Sequence, residues 1–337
     1  MELFILAITT YNRKSYLEKA VSSFLRTRSD YSWELIIADD GSTDGTLDYI
    51  KNLSIPDLKI TLIQNERAGS HHQFNTIIKA IENKDFKICF KCDDDIEFTK
   101  AGWVELYQNA MRESGYQHLC YFNSSWNPAR ALNPTIKKGS VEARCLTPHV
   151  QGAFFTITPE VIRQVGFMDV ENFGFRGVGH IDYMYRACRA GFNDISHPFD
   201  AAGSEEYITY QLLDYKSALD KSLVYAIDNE QDVKRKWEIV GQNRIFIPYR
   251  EPGFKLDARA ECSLLQSRIK TLENEKEWYE NSIKVNRDWF DNQLLENQKQ
   301  YTLLTEQHEK LNEEHQQLTE KYESIPKWLL KLVRLFR

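Results

Sequence analysis

Hydrophobic and polar positions follow two alternating rhythms through the first part of the chain. LFILAITT (3–10) is a continuous β-rich run, the pattern of a buried strand. RKSYLEKAVSSFLRT (13–27) has helical spacing and places Tyr16, Leu17, Ala20, Val21, Phe24 and Leu25 on one face. The rhythm then repeats. WELIIADDGS (33–42) is a strand entering a turn, DGTLDYIKNL (44–53) a helix, LKITLIQN (58–65) a strand, HQFNTIIKAIEN (72–83) a helix and FKICFKC (86–92) a strand. This order predicts an α/β domain with a mostly parallel, helix-covered central sheet. Ligands of such sheets bind beyond the carboxyl ends of the strands, where TTYN, DDGS and CDDD all lie.

From about 100 to 255 the pattern is more mixed. A helix is expected over 101–114, HLCYFNSS is strand-like, and NPARALNPTIKKGS (127–140) reads as a loop because of its prolines and glycine. GAFFTIT (152–158) predicts a strand, PEVIRQVG (159–166) a helix, and GHIDYMYRACRAGF (179–192) a helix from about Ile181.

The pattern changes again after residue 255. Between 258 and 324 there is no Gly or Pro, and Glu, Gln, Lys and Asn dominate. Core-type positions run from Leu265, Ile269 and Leu272 through Phe290 and Leu294 to Leu318 and Tyr322, in steps of four and three with one extra four. That is a heptad repeat with a stutter. A coiled coil and a long solvated helix are the two readings, and a coiled coil implies a homo-oligomer. In the final IPKWLLKLVRLFR (325–337), Lys327, Lys331 and Arg334 share one helical face, and apolar residues cover most of the rest. Such a helix is too short to span a bilayer but suits an anionic membrane interface. Packing on the globular part is the alternative. The expected domains are 1–255, 256–324 and 325–337.

Composition narrows the classes. Hydrophobic content of 42% supports a large core, and a formal charge of −6 gives no reason to expect a nucleic-acid partner. The first residues have no basic region ahead of the apolar run and no small-residue cleavage site, so they read as a first strand and the chain as cytosolic. Six scattered cysteines include one CxxC, Cys89 and Cys92, whose members face opposite sides of a strand and so do not share one ion.

The candidate chemistry is acidic. Three adjacent aspartates, Asp93, Asp94 and Asp95, follow an apolar strand. They form either an exposed turn or a site for a hard divalent cation, which takes oxygen ligands. Strand alternation turns Asp93 and Asp95 one way and Asp94 the other. DDGS by itself is also good turn and N-cap chemistry.

Four ordered motifs, AITTYNR, ELIIADDGSTDGT, KCDDDIEF and GHIDYMYR, resemble those of family 2 glycosyltransferases over roughly residues 1–200. The resemblance implies the GT-A fold, and an inverting transfer of sugar from a nucleotide-diphosphate donor, with a UDP-sugar favoured. It makes Asp40 the reader of a uracil-type base, with Asp39 held in the turn. Thr9, Thr10 and Tyr11 are placed against base and ribose, and Asn75, Asp93 and Asp94 on the donor side. It implies a Mn2+ or Mg2+ cofactor with Asp95 as ligand; His197, fifteen residues after Asp182, is either a further ligand or a structural histidine. The catalytic base is implied to be Asp182, at a position where the family often has Glu-Asp and this chain has Ile181-Asp182. The position before Asn75 where the family usually carries a basic residue holds His72 or Gln73 here, and Trp126, Arg130 and Phe175 are placed toward the acceptor. The expected acceptor is a growing surface glycan, lipid-linked, at the inner face of the cell membrane. The competing reading is a membrane-tethered scaffold with an inactive transferase domain.

Overall fold

The computed structural model describes residues 2–147, 149–174, 177–211 and 230–241, with scattered positions between 269 and 316. It forms two units, 1–275 and 276–337.

The first unit is built on a five-stranded sheet. Strands β1 (Leu3–Thr10), β2 (Ser32–Asp39), β3 (Lys59–Gln64), β4 (Ile88–Asp93) and β8 (Phe154–Ile157) lie in the order β3-β2-β1-β4-β8. The first four are parallel, and β8 runs antiparallel to β4. The expected α/β class holds, with a mixed rather than wholly parallel sheet. Helices α1 (Lys14–Thr27), α2 (Thr46–Asn52) and α3 (Ser70–Ile81) make the crossovers.

Residue alternation along β1 divides the core into two layers. Phe4, Leu6 and Ile8 join Leu17, Val21 and Phe24 of α1 on one face. Ile5 and Ala7 join Phe74, Ile77 and Ile78 of α3 on the other. Cys92 belongs to the first layer and Cys89 to the second, as the strand period requires. Helix α4 (Trp103–Ser114) covers the first layer and ends at Gly115, whose φ of +76° allows its N–H to cap Met111 O. On the second layer lie α5 (Pro159–Val165) and α7 (Gly179–Arg189); α6 (Val170–Phe173) packs on α7, its Phe173 in a third cluster with Ile181 and Met184.

Two segments differ from the sequence expectation. Residues 127–140 are not a plain loop: after a 3-10 turn, β6 (Ala131–Lys138) pairs with β7 (Val141–Cys145), and β9 (Asp200–Ala201) completes a small sheet. Strand β6 is an edge strand whose register shifts between Ala131 and Ile136, which accommodates Pro134 without breaking a central ladder. The run HLCYFNSS contributes one isolated bridge, Cys120 to Phe155, rather than a strand.

The described positions of the second unit are helical. The pairing expected for 256–324 and the helix expected for 325–337 lie outside the described residues. Among the described residues no helix is long and apolar enough to cross a membrane.

Candidate active site

Sheet register brings the polar motifs together. Thr9 stands opposite Asp93 across β1 and β4, and Thr10 opposite Asp39 across β1 and β2. Thr9 Oγ1 donates to Asp93 Oδ1 at 2.8 Å, and Thr10 Oγ1 to Asp94 Oδ2 at 2.7 Å. Residues far apart in sequence thus meet at one sheet edge.

The aspartate triplet is not extended. Asp93 ends β4, Asp94 and Asp95 form a turn, and β5 (Ile96–Phe98) follows. The turn breaks the alternation expected from the sequence: Asp94 falls with Asp95 rather than apart from it, while Asp93 is held by Thr9. Asp94 and Asp95 instead share Arg13: Nη2 lies 2.8 Å from Asp94 Oδ1, and Nη1 lies 3.2 Å from Asp95 Oδ2. Asp93 pairs with Lys91 of β4, whose Nζ also donates to Gly152 O at 2.9 Å. Two cations therefore hold three adjacent acids in place. Burial, together with the neighbouring carboxylates, raises the pKa of both Asp94 and Asp95 despite Arg13. Burial opposes the Arg13 charge, but Asp94, Asp95 and Asp93 outweigh it and hold the guanidinium above its usual pKa.

The DDGS segment closes on itself. Asp39 Oδ2 accepts from Gly41 N at 3.1 Å and Ser42 N at 2.9 Å, which confirms its place in the turn. Asp40 is fully buried: Oδ1 accepts from Ala68 N, Oδ2 from Gly69 N, and Arg67 pairs with the same carboxylate. The Arg67 guanidinium also lies 3.4 Å above the centre of the Tyr11 ring. Arg67, not His72 or Gln73, is therefore the basic group of this loop. His72 is exposed, while Gln73 Nε2 donates to the carbonyls of Thr10 and Ala38 and ties α3 to the rim.

Asn75 has a different task from the expected donor contact. Its Nδ2 donates to Met168 O at 2.9 Å and its Oδ1 accepts from Met168 N at 2.8 Å, clamping α3 to the chain before α6. Asp182 lies in the first turn of α7, 2% exposed. Its Oδ2 accepts from Arg186 Nε at 2.8 Å, and Arg186 donates in turn to Val165 O and Phe167 O. The carboxylate expected to act as the base is thus also part of the helix packing. His180, two residues earlier, is partly exposed and packs against Gly152. A Cβ on Gly152 would stand 2.8 Å from that ring. Burial lowers the His180 pKa, so the imidazole is neutral at neutral pH.

Asp95 Oδ1 is buried with no hydrogen-bond partner, an available hard oxygen of the kind Mn2+ or Mg2+ takes. The backbone N–H of His197 donates to Asp194 Oδ1 at 2.9 Å, and among the described residues no group of three or more His, Cys, Asp or Glu is gathered as a metal site. Trp126 and Arg130 are exposed, and Phe175 lies outside the described residues.

Sequence reasoning missed Arg13, Lys91 and Arg67 as site groups. The available signal was the cost of their charges: Lys91 interrupts a buried strand, where a charge needs a partner.

A model of the family described as Glycosyl transferase family 2 matches residues 5–165. The chain is 24% identical, over 249 residues, to an uncharacterized glycosyltransferase of Acanthamoeba polyphaga mimivirus, covering 69% of this chain and 92% of that one. It is 30% identical over 114 residues to the GalNAc(5)-diNAcBac-PP-undecaprenol beta-1,3-glucosyltransferase of Campylobacter jejuni, covering 33% of this chain and 35% of that one. Among solved structures, it is similar to a mannosyltransferase of Pyrobaculum calidifontis in complex with GDP-Man and Mn2+, with 17% identity, a TM-score of 0.47, and coverage of 80% of this chain and 74% of that one.

Proposed function

We propose that the protein is a metal-dependent inverting glycosyltransferase acting on a nucleotide-diphosphate sugar, a reading that starts from the match of residues 5–165 to glycosyl transferase family 2. The observation that carries this reading is the in-register meeting of Thr9, Thr10 and the aspartate triplet at the carboxyl edge of the sheet.

Donor contacts are assigned to Thr9, Thr10, Tyr11, Asp40, Asp93 and Asp94. A UDP-sugar is favoured because Asp40 suits the N3–H of a uracil-type base, and the Tyr11–Arg67 stack offers a flat surface beside it. Asp95, through Oδ1, is the residue suited to hold Mn2+ or Mg2+, which when bound offsets charge on the departing diphosphate.

In a single displacement an acceptor hydroxyl attacks the anomeric carbon opposite the diphosphate, and its proton must pass to a nearby base. Asp182 Oδ2 accepts from Arg186, so the carboxylate expected to take this proton is already held in an ion pair. His180 Nε2 lies 3.4 Å from Val150 O, a longer and uncharged contact than the Asp182–Arg186 pair, and on that ground the proton is assigned to His180. Asp182 then serves to hold the first turn of α7 in place. The acceptor is proposed to be a lipid-linked surface glycan, a reading supported by the undecaprenol-linked substrate named for the Campylobacter jejuni relative. On sequence grounds 256–324 is assigned to oligomerisation and 325–337 to the inner membrane surface.

The test is a screen of the full chain against nucleotide sugars with Mn2+ or Mg2+, reading release of nucleoside diphosphate. Release by the native protein and its loss in Asp95→Asn are expected. No release from any donor, or equal release by the variant, overturns the proposal.

A further inference from the structure

We propose that Trp126 and Tyr210 form the wall against which a sugar ring of the acceptor lies, with the side-chain amide of Gln151 donating to one of its hydroxyls. This assignment rests on the transferase reading and deepens it.

The two rings are stacked, with centroids 5.5 Å apart and planes inclined by 24°. Trp126 is 47% exposed, whereas the large aromatics of the core are shut away from solvent. The indole is carried on a built turn. Asn123 Oδ1 accepts from Trp126 N at 3.0 Å and from Ser125 Oγ at 2.6 Å. Asn123 is itself 7% exposed, so the exposed ring stands on a buried support.

Gln151 joins the turn to the second ring. Its Oε1 accepts from Asn123 N at 2.9 Å and from the Tyr210 hydroxyl at 3.2 Å. A backbone N–H can only donate, so this contact fixes which end of the amide is oxygen. Nε2 is then left buried with no hydrogen-bond partner. An unsatisfied buried donor is costly, and a ligand hydroxyl accepting from it removes that cost.

Position selects the second substrate as occupant. Tyr210 pairs with Ile96, the residue after Asp95, within β10 (Ile208–Tyr210). Gln211 N donates to Asp95 O at 2.7 Å. Gln151 precedes Gly152, whose carbonyl accepts from Lys91, the partner of Asp93. The aromatic wall and the amide are therefore tied to the aspartate triplet from two sides. The chemistry matches a pyranose: its C–H face meets the electron-rich face of an aromatic ring, and its rim carries hydroxyls for an amide donor.

The experiment is saturation-transfer NMR on the full chain with methyl glucoside, methyl galactoside, methyl mannoside and methyl N-acetylglucosaminide. At least one is expected to bind the native protein and Trp126→Phe. In Trp126→Ala its affinity is expected to fall about five- to tenfold, while UDP or GDP binding measured by titration calorimetry is unchanged. No glycoside binding, or binding indifferent to Trp126→Ala, overturns the wall. Failure of nucleotide-sugar release overturns the transferase reading instead, so the two failures are distinguishable.

Discussion

The carboxylate of Asp182 is 2.8 Å from Nε of Arg186, one turn further along α7, and both side chains are buried. Removing one member of such a pair leaves an uncompensated charge inside the protein. Asp182→Asn is expected to lower unfolding stability by about 3–5 kcal/mol, measured by urea denaturation. His180→Gln, by contrast, is expected to leave stability within about 1 kcal/mol and to reduce sugar transfer roughly 10²- to 10⁴-fold. A stable Asp182→Asn protein that has lost transfer returns the proton to Asp182.

The contact between Gly152 and His180 is a second test of that site. A methyl group added at Gly152 meets the imidazole at 2.8–3.0 Å, so the ring must turn or move. Gly152→Ala is expected to cut transfer at least about tenfold in a kinetic assay, while nucleotide binding by calorimetry is retained. Unchanged transfer means that the position of His180 does not govern the reaction.

The pH dependence of stability contains two opposing contributions. Asp94 and Asp95 have raised pKa values, so the folded state binds more protons than the unfolded one above the ordinary carboxylate range. Their contribution is present at low pH and is lost as pH rises through the folded values. His71 and His118 are pushed down to about 4 by burial, so they bind protons only when unfolded between that value and the ordinary histidine range. Their contribution is present above the histidine range and is lost as pH falls toward 4. Arg13→Gln removes the cation that restrains the two aspartates and is expected to steepen the loss of stability from pH 5 to pH 8. His118→Gln is expected to flatten the loss on acidification. Urea midpoints across this range check both, and a parallel shift of either curve refutes the corresponding assignment.

Membrane association is assigned to residues 325–337 by sequence. Their deletion is expected to abolish co-sedimentation with anionic liposomes in about 0.1 M salt, with nucleotide binding by the remaining chain preserved. Undiminished co-sedimentation places the membrane contact elsewhere.

Much of the sheet was legible because buried strands and amphipathic helices impose different spacings. β1, β2, β3 and β4, with α1 and α3 between them, follow the expected order within a few residues. Strand β6 was hidden because proline and glycine usually mark loops, and only its place at a sheet edge makes the proline tolerable. The triplet was misjudged for a related reason: alternation holds only while the backbone stays extended, and the chain turns at Asp94.

Sequence alone determined the alternating α/β order and the polar clusters at three strand ends, two of them acidic, because spacing and strand position are local properties. Tertiary structure decided which side chains serve those acids. Arg13 reaches Asp94 and Asp95 from 81 and 82 residues away, Arg67 covers Asp40, and Arg186 occupies Asp182. A buried charge must find a partner in space, and sequence spacing does not reveal which cation the folded chain brings to it.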